Sequence, residues 1–98
     1  MMNVFDEEMA IATAEAFSQC TNVEKNRFSL DFKNMWQYYK GWPGIEIANI
    51  VLGLKKLLEL LETEKETFQR QNKLIAKGHT DKFIKIVKEL IPEETTEI

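Results

Sequence analysis

One stretch of this sequence constrains the fold more than any other. Ile47, Val51, Leu54, Leu58 and Leu61 alternate by four and three residues, and the same register continues through Phe68 and Ile75. That spacing is the apolar seam of a helix, repeated every seven residues. It predicts one long helix from about Gly44 to Lys77, with Gly78 as the residue that turns the chain at its end. Ile50 and Leu57 widen the stripe in the first half only. The rod is therefore expected to be buried broadly early and narrowly late.

The flanking segments carry helix signals of their own. Asp6 is a good N-cap, followed by Glu7 and Glu8 in a favourable first turn. A first helix is expected to Cys20, with Phe5, Met9, Ala12, Ala16 and Cys20 on its inner face and Phe17 beside them. Thr21 and Asn22 suggest a turn. A second helix is expected from a Ser29 cap, with Phe32, Met35, Trp36 and Tyr39 on one face, stopped by Gly41. Pro43 suits the first position of the long helix. A fourth helix is expected to begin after a Thr80 cap and run to Leu90, with Pro92 ending it. The fold class that follows is all-α, a three- or four-helix bundle with one long central helix. Residues 1–91 form a single helical domain and 92–98 an acidic flexible tail.

The chain's 98 residues suffice for one domain. Its one cysteine excludes an internal disulfide and favours a reducing, cytoplasmic setting. The start lacks a positively charged leader, so a signal peptide is not expected. The most apolar stretch, Ile45 to Leu61, is interrupted by Glu46, Lys55, Lys56 and Glu59, which argues against a membrane span.

Little in the chain supports catalysis. His79 is the sole histidine and Cys20 the sole cysteine, whereas a structural zinc site needs about four ligands. Cys20 reads as a small buried side chain and His79 as a polar linker residue. There is no glycine-rich phosphate loop and no Glu-x-x-His pair on a helix. The expectation is a non-enzymatic protein without cofactor, metal or small-molecule substrate.

Two surfaces are candidates for binding. Trp36, Tyr38, Tyr39 and Trp42 fall close together. Of these Tyr38 lies off the predicted inner face and Trp42 in the turn, so both suit an interface. Charge supplies the second surface. Net charge is −3, yet residues 1–24 hold five acids and no Lys or Arg, while Lys25 to Lys88 hold thirteen basic residues against seven acids. Arg70, Lys73 and Lys77 share one helical face, and Lys82, Lys85 and Lys88 share another. Folded back as a hairpin, the two stripes could form a cationic patch for phosphates or an acidic partner. Phe68 and Ile75 could extend the heptad seam into a homodimer, with Lys65 and Asn72 restricting its register.

Trp42-Pro43-Gly44 reads as W-x-G near the middle of a short chain. In this it resembles the WxG family of small helical-hairpin proteins exported by type VII secretion systems, whose tripeptide sits in the turn between two long helices. The resemblance covers three residues and overall length. The break near Thr21–Ser29, the proline itself and the absence of a Tyr-x-x-x-Asp/Glu signal depart from the pattern, and no functional residue is carried over. The reading that emerges is a non-catalytic macromolecule-binding protein, of adaptor, inhibitor or immunity type, with a protein partner or its own copy. A nucleic-acid-binding protein using the basic patch and a WxG-like secreted protein are the alternatives.

Overall fold

Each half of the chain folds into two helices joined by a tight turn. The computed structural model describes residues 5–39 and 47–91. The helices are α1 (Glu7–Gln19), α2 (Asn22–Tyr39), α3 (Ile47–Arg70) and α4 (Leu74–Leu90). The described residues contain no strand. The all-α bundle expected from the sequence is what forms, with four helices among the described residues. The two-helix hairpin that the W-x-G resemblance implies is not what forms, because turns after Gln19 and after Arg70 break each half of the chain into two helices.

Packing is not sequential around the bundle. α3 lies against α1 and α4, α2 lies against α4, and α1 touches α2 only slightly. Phe5 and Asp6 sit beside Gly53, while Ser18 at the other end of α1 shares a depression with Leu60 and Glu64. α1 and α3 therefore run parallel. Lys65 pairs with Asp81 at 3.0 Å and Lys88 with Glu62 at 3.9 Å, so α3 and α4 run antiparallel. Lys82 Nζ donates to Asn26 Oδ1 at 2.6 Å, tying α4 to the start of α2. This topology brings the α1–α2 turn and the α3–α4 turn to the same end of the molecule.

The core is leucine on one side and phenylalanine on the other. Leu54, Leu57 and Leu61 of α3 are fully buried, as are Phe83 and Val87 of α4 and Phe17 of α1. Each such side chain contributes roughly 1.5–3 kcal/mol by burial. Phe83 is the hub of the aromatic half, with ring centroids 4.9 Å from Phe17, 5.8 Å from Phe28 and 5.3 Å from Phe32. Phe5 meets Phe32 edge-on at 5.7 Å, and Phe17 meets Phe28 in the same way. These rings bridge α1 and α2, whose backbones barely approach each other.

Several local expectations are corrected. α2 begins at Asn22, seven residues before Ser29, because Thr21 and Glu24 form a reciprocal capping box. Thr21 N–H donates to Glu24 Oε1 at 2.9 Å and Glu24 N–H to Thr21 Oγ1 at 3.2 Å. Ser29 is buried inside the helix, where its hydroxyl donates to Asn26 O at 2.9 Å. Met35 is exposed, whereas Trp36 is buried as expected.

α3 stops at Arg70 and does not reach Lys77. Asn72 takes a left-handed φ of 59°. Lys73 N–H donates to Phe68 O at 2.9 Å and Asn72 N–H to Gln69 O at 3.1 Å. That pair of bonds is a Schellman ending with asparagine in the residue position glycine usually takes. Gly78, His79 and Thr80 consequently lie inside α4. Thr80 caps nothing; its buried hydroxyl donates to Ala76 O at 2.8 Å.

In α1 the Asp6 cap forms as expected, its carboxylate accepting from Met9 N–H at 2.9 Å. The inner face is set partly differently: Phe5 and Phe17 are buried as expected, but Met9, Ala12 and Ala16 are exposed and Ala10 is buried. Gly53 explains the close approach at this corner. A Cβ there would lie 2.6 Å from Phe5 Cδ2 and 3.0 Å from Asp6 O.

Candidate binding groove

Lys25 organises the end of the bundle where the two turns meet. It is only 3 % exposed. Its Nζ donates to Cys20 O at 2.6 Å and to Ser18 O at 3.3 Å. These carbonyls belong to the negative end of α1, which a cation stabilises. The same ammonium stands 5.3 Å from the Phe17 ring centroid and 5.5 Å from that of Phe68. Two aromatic faces replace part of the hydration it loses. One side chain of α2 thus closes α1 and clasps the end of α3.

Beside this clasp lies a groove of about 720 Å³, open to solvent. One wall is the α1–α2 turn, with Ser18, Cys20 and Thr21. The other is the α3–α4 turn, with Phe68, Asn72 and Lys73, continuing into Leu74 and Ile75. Leu74 is 56 % and Ile75 68 % exposed. The lining carries Lys25 and Lys73 but no Asp or Glu. Cys20 is half-buried, its thiol donating to Ala16 O at 3.3 Å, and so is not the fully buried residue expected.

Of the four side chains nominated for protein binding, Phe68 and Ile75 come together here, from different helices rather than along one rod. Tyr38 is exposed, but near the far end of α2, about 24 Å from its start by helical rise. Trp42 and the rest of the Trp42-Pro43-Gly44 tripeptide lie outside the described residues, as does the 92–98 tail.

The six basic residues are divided. Lys73 lines the groove, and Arg70, at the end of α3, donates to Thr67 Oγ1 at 3.3 Å. Lys77 and Lys85 stand a turn either side of Asp81, and Lys88 reaches Glu62. Lys82 turns away toward α2. The Lys65 hydrogen bond holds the Asp81 carboxyl below its ordinary range, with Lys85 and Lys77 adding to the effect. Acids thus interleave the basic stripe on the α3–α4 seam.

A smaller depression of about 240 Å³ on the α1–α3 seam contains Glu15 and Glu64. Glu64 Oε1 is buried there without a hydrogen-bond partner among the described residues. No cluster of three or more His, Cys, Asp or Glu among the described residues is arranged to hold a metal. No helix among them is long and apolar enough to cross a membrane.

The groove's main elements escape a reading built on apolar periodicity. Lys25 lies next to a turn and looks like an ordinary surface lysine. The Thr21-Asn22-Val23-Glu24 spacing, a capping-box signature, was the available signal. It places Lys25 in the first turn of α2, directly across from the end of α1. Comparisons with protein families, with curated proteins and with solved structures give no significant match to this chain.

Proposed function

We propose that this protein is a non-catalytic binding module that engages a macromolecular partner through the groove between its two interhelical turns. The observation that carries the reading is the exposure of Leu74 and Ile75 at consecutive positions on the rim of an open groove. Two adjacent large aliphatic side chains left in water are a ready anchor for a partner's apolar side chains. The Lys25 clasp and the Asn72 turn fix the groove walls, so little ordering entropy remains to be lost on binding. A preformed helical surface of this kind suits an adaptor, inhibitor or immunity-type protein.

The test is affinity capture from a lysate of the source cells with wild type, Ile75→Asp and Tyr38→Ala, with circular dichroism confirming the fold. Aspartate in the first turn of α4 suits a helix start, so Ile75→Asp should fold normally. The groove reading expects Ile75→Asp to lose a partner that Tyr38→Ala retains. Equal recovery by all three proteins, or loss with Tyr38→Ala alone, overturns it.

A further inference from the structure

Resting on that reading, we infer that the groove takes an acidic peptide segment of a partner protein, one carrying a bulky aliphatic or aromatic side chain beside its carboxylates. Charge complementarity is the first ground. The groove is lined by Lys25 and Lys73 and by no acid. Lys73 is exposed and has no carboxylate partner among the described residues. Lys25 has two carbonyls and two rings around it, and likewise no carboxylate. Lys25 is occupied by its carbonyls and rings, so the exposed Lys73 ammonium is the cation a ligand reaches, and with no acid in the lining it attracts an anion and repels a basic segment.

The apolar rim is the second ground. Leu74 and Ile75 stand next to Lys73 in sequence and line the same groove. A carboxylate at Lys73 therefore brings the neighbouring residue of a bound peptide onto these two side chains. The start of α4 reinforces the choice of charge. Lys73 provides no side-chain cap. The first amides of a helix, here those of Leu74, Ile75 and Ala76, have no acceptor within it. Donors left open at a helix start favour an anion over a cation.

A nucleic acid would satisfy the cations but leave Leu74 and Ile75 in water. The larger basic stripe beyond the groove is interleaved with Asp81 and Glu62, which weakens its field for a polyanion. A peptide with both chemistries uses every feature of the groove.

The experiment is selection of a phage-displayed random twelve-residue library on the full-length protein, with the Ile75→Asp protein in parallel. Enriched peptides are then measured by fluorescence anisotropy against wild type, Lys73→Glu and Ile75→Asp. Lys73 contributes only backbone bonds to the turn, so Lys73→Glu leaves the fold in place. The expected result is a consensus with Asp or Glu within three positions of Leu, Ile, Phe or Trp. Binding should weaken at least tenfold with either variant, and amide shifts should centre on residues 73–77. A neutral or basic consensus that still needs Ile75 overturns the acidic partner while leaving the groove reading intact. Absence of any enrichment that depends on Ile75 overturns both. Tighter binding of a generic DNA duplex than of any selected peptide also overturns the inference.

Discussion

Replacing Lys25 with methionine should destabilise the protein severely, although the two side chains are alike in length and apolar stem. The ammonium donates to Cys20 O and Ser18 O. Hydrogen bonds to a charged group contribute about 1.5–3 kcal/mol each, and water from the open groove recovers part of that for these part-buried carbonyls. Two cation–ring contacts add about 0.5–2 kcal/mol together. Against this, methionine removes a buried charge, and its sulfur regains about 0.3–1.5 kcal/mol against the same rings. The balance is a loss of about 2–4 kcal/mol. For a domain of this size that lowers Tm by roughly 10–25 °C. Thermal melts followed by circular dichroism, with urea titrations as a second measure, would show it. A Lys25→Met protein that melts within about 3 °C of wild type, or above it, would refute the reasoning. Lys25 would then be an incidental buried stem.

Three further substitutions probe the frame around the groove. Gly53→Ala gains up to about 1 kcal/mol of helix propensity, yet its Cβ would crowd Phe5 Cδ2 and the Asp6 carbonyl. A net loss of about 1–2 kcal/mol in urea titration is expected, and a gain would show that this corner yields freely. Asn72→Gly should be neutral or stabilise by up to about 1 kcal/mol, because glycine takes the left-handed φ of 59° without strain. Asn72→Val should lose more than about 1 kcal/mol, and equal melting of the two variants would contradict the turn. Asp81→Asn should lose about 0.2–1 kcal/mol at neutral pH, the small value reflecting the exposure of the Lys65 pair. The folded-state pKa of Asp81 is lowered, so its contribution is complete above the ordinary carboxylate range. It disappears as pH falls below 3.8 through the folded value. Melts of wild type and Asp81→Asn should therefore converge near pH 2, and a difference that persists there would point to a packing role instead.

Much of the helical content was readable from periodicity, because Leu54, Leu57, Leu61, Phe83 and Val87 keep helical spacing and all are buried. The Asp6 cap was readable for the same kind of reason, a local side-chain bond with a known offset. The ends of the other helices were not. The heptad register runs through Phe68 to Ile75 without a break, and nothing in that spacing reveals that the chain reverses at Asn72. Gly78 attracts the turn on propensity alone, but Asn72 takes it because ending there lets Ala76, Thr80 and Phe83 pack inward on α4. Phe5 and Phe17 mark the buried side of α1 in the sequence, but the alanines do not, because alanine carries no size signal. Ala12 and Ala16 keep the same spacing as Ala10 and Ala14, and only the packing of α1 on α3 decides that Ala10 is the one buried. The groove was half readable. Phe68, Lys73 and Ile75 were singled out for reasons of spacing, but their meeting depends on a turn that spacing conceals. Lys25 became significant only once Thr21 and Glu24 had fixed where α2 begins.

The central claim is that the two turns lie together at one end of the bundle, clasped by a buried lysine. A three-dimensional NOESY spectrum of isotope-labelled protein tests it most directly. The Lys25 side-chain methylene protons should show cross-peaks to the ring protons of both Phe17 and Phe68, with chemical shifts displaced by the ring currents. Lys25 resonances at free-chain positions, with no cross-peak to Phe68, would contradict the clasp and the groove beside it.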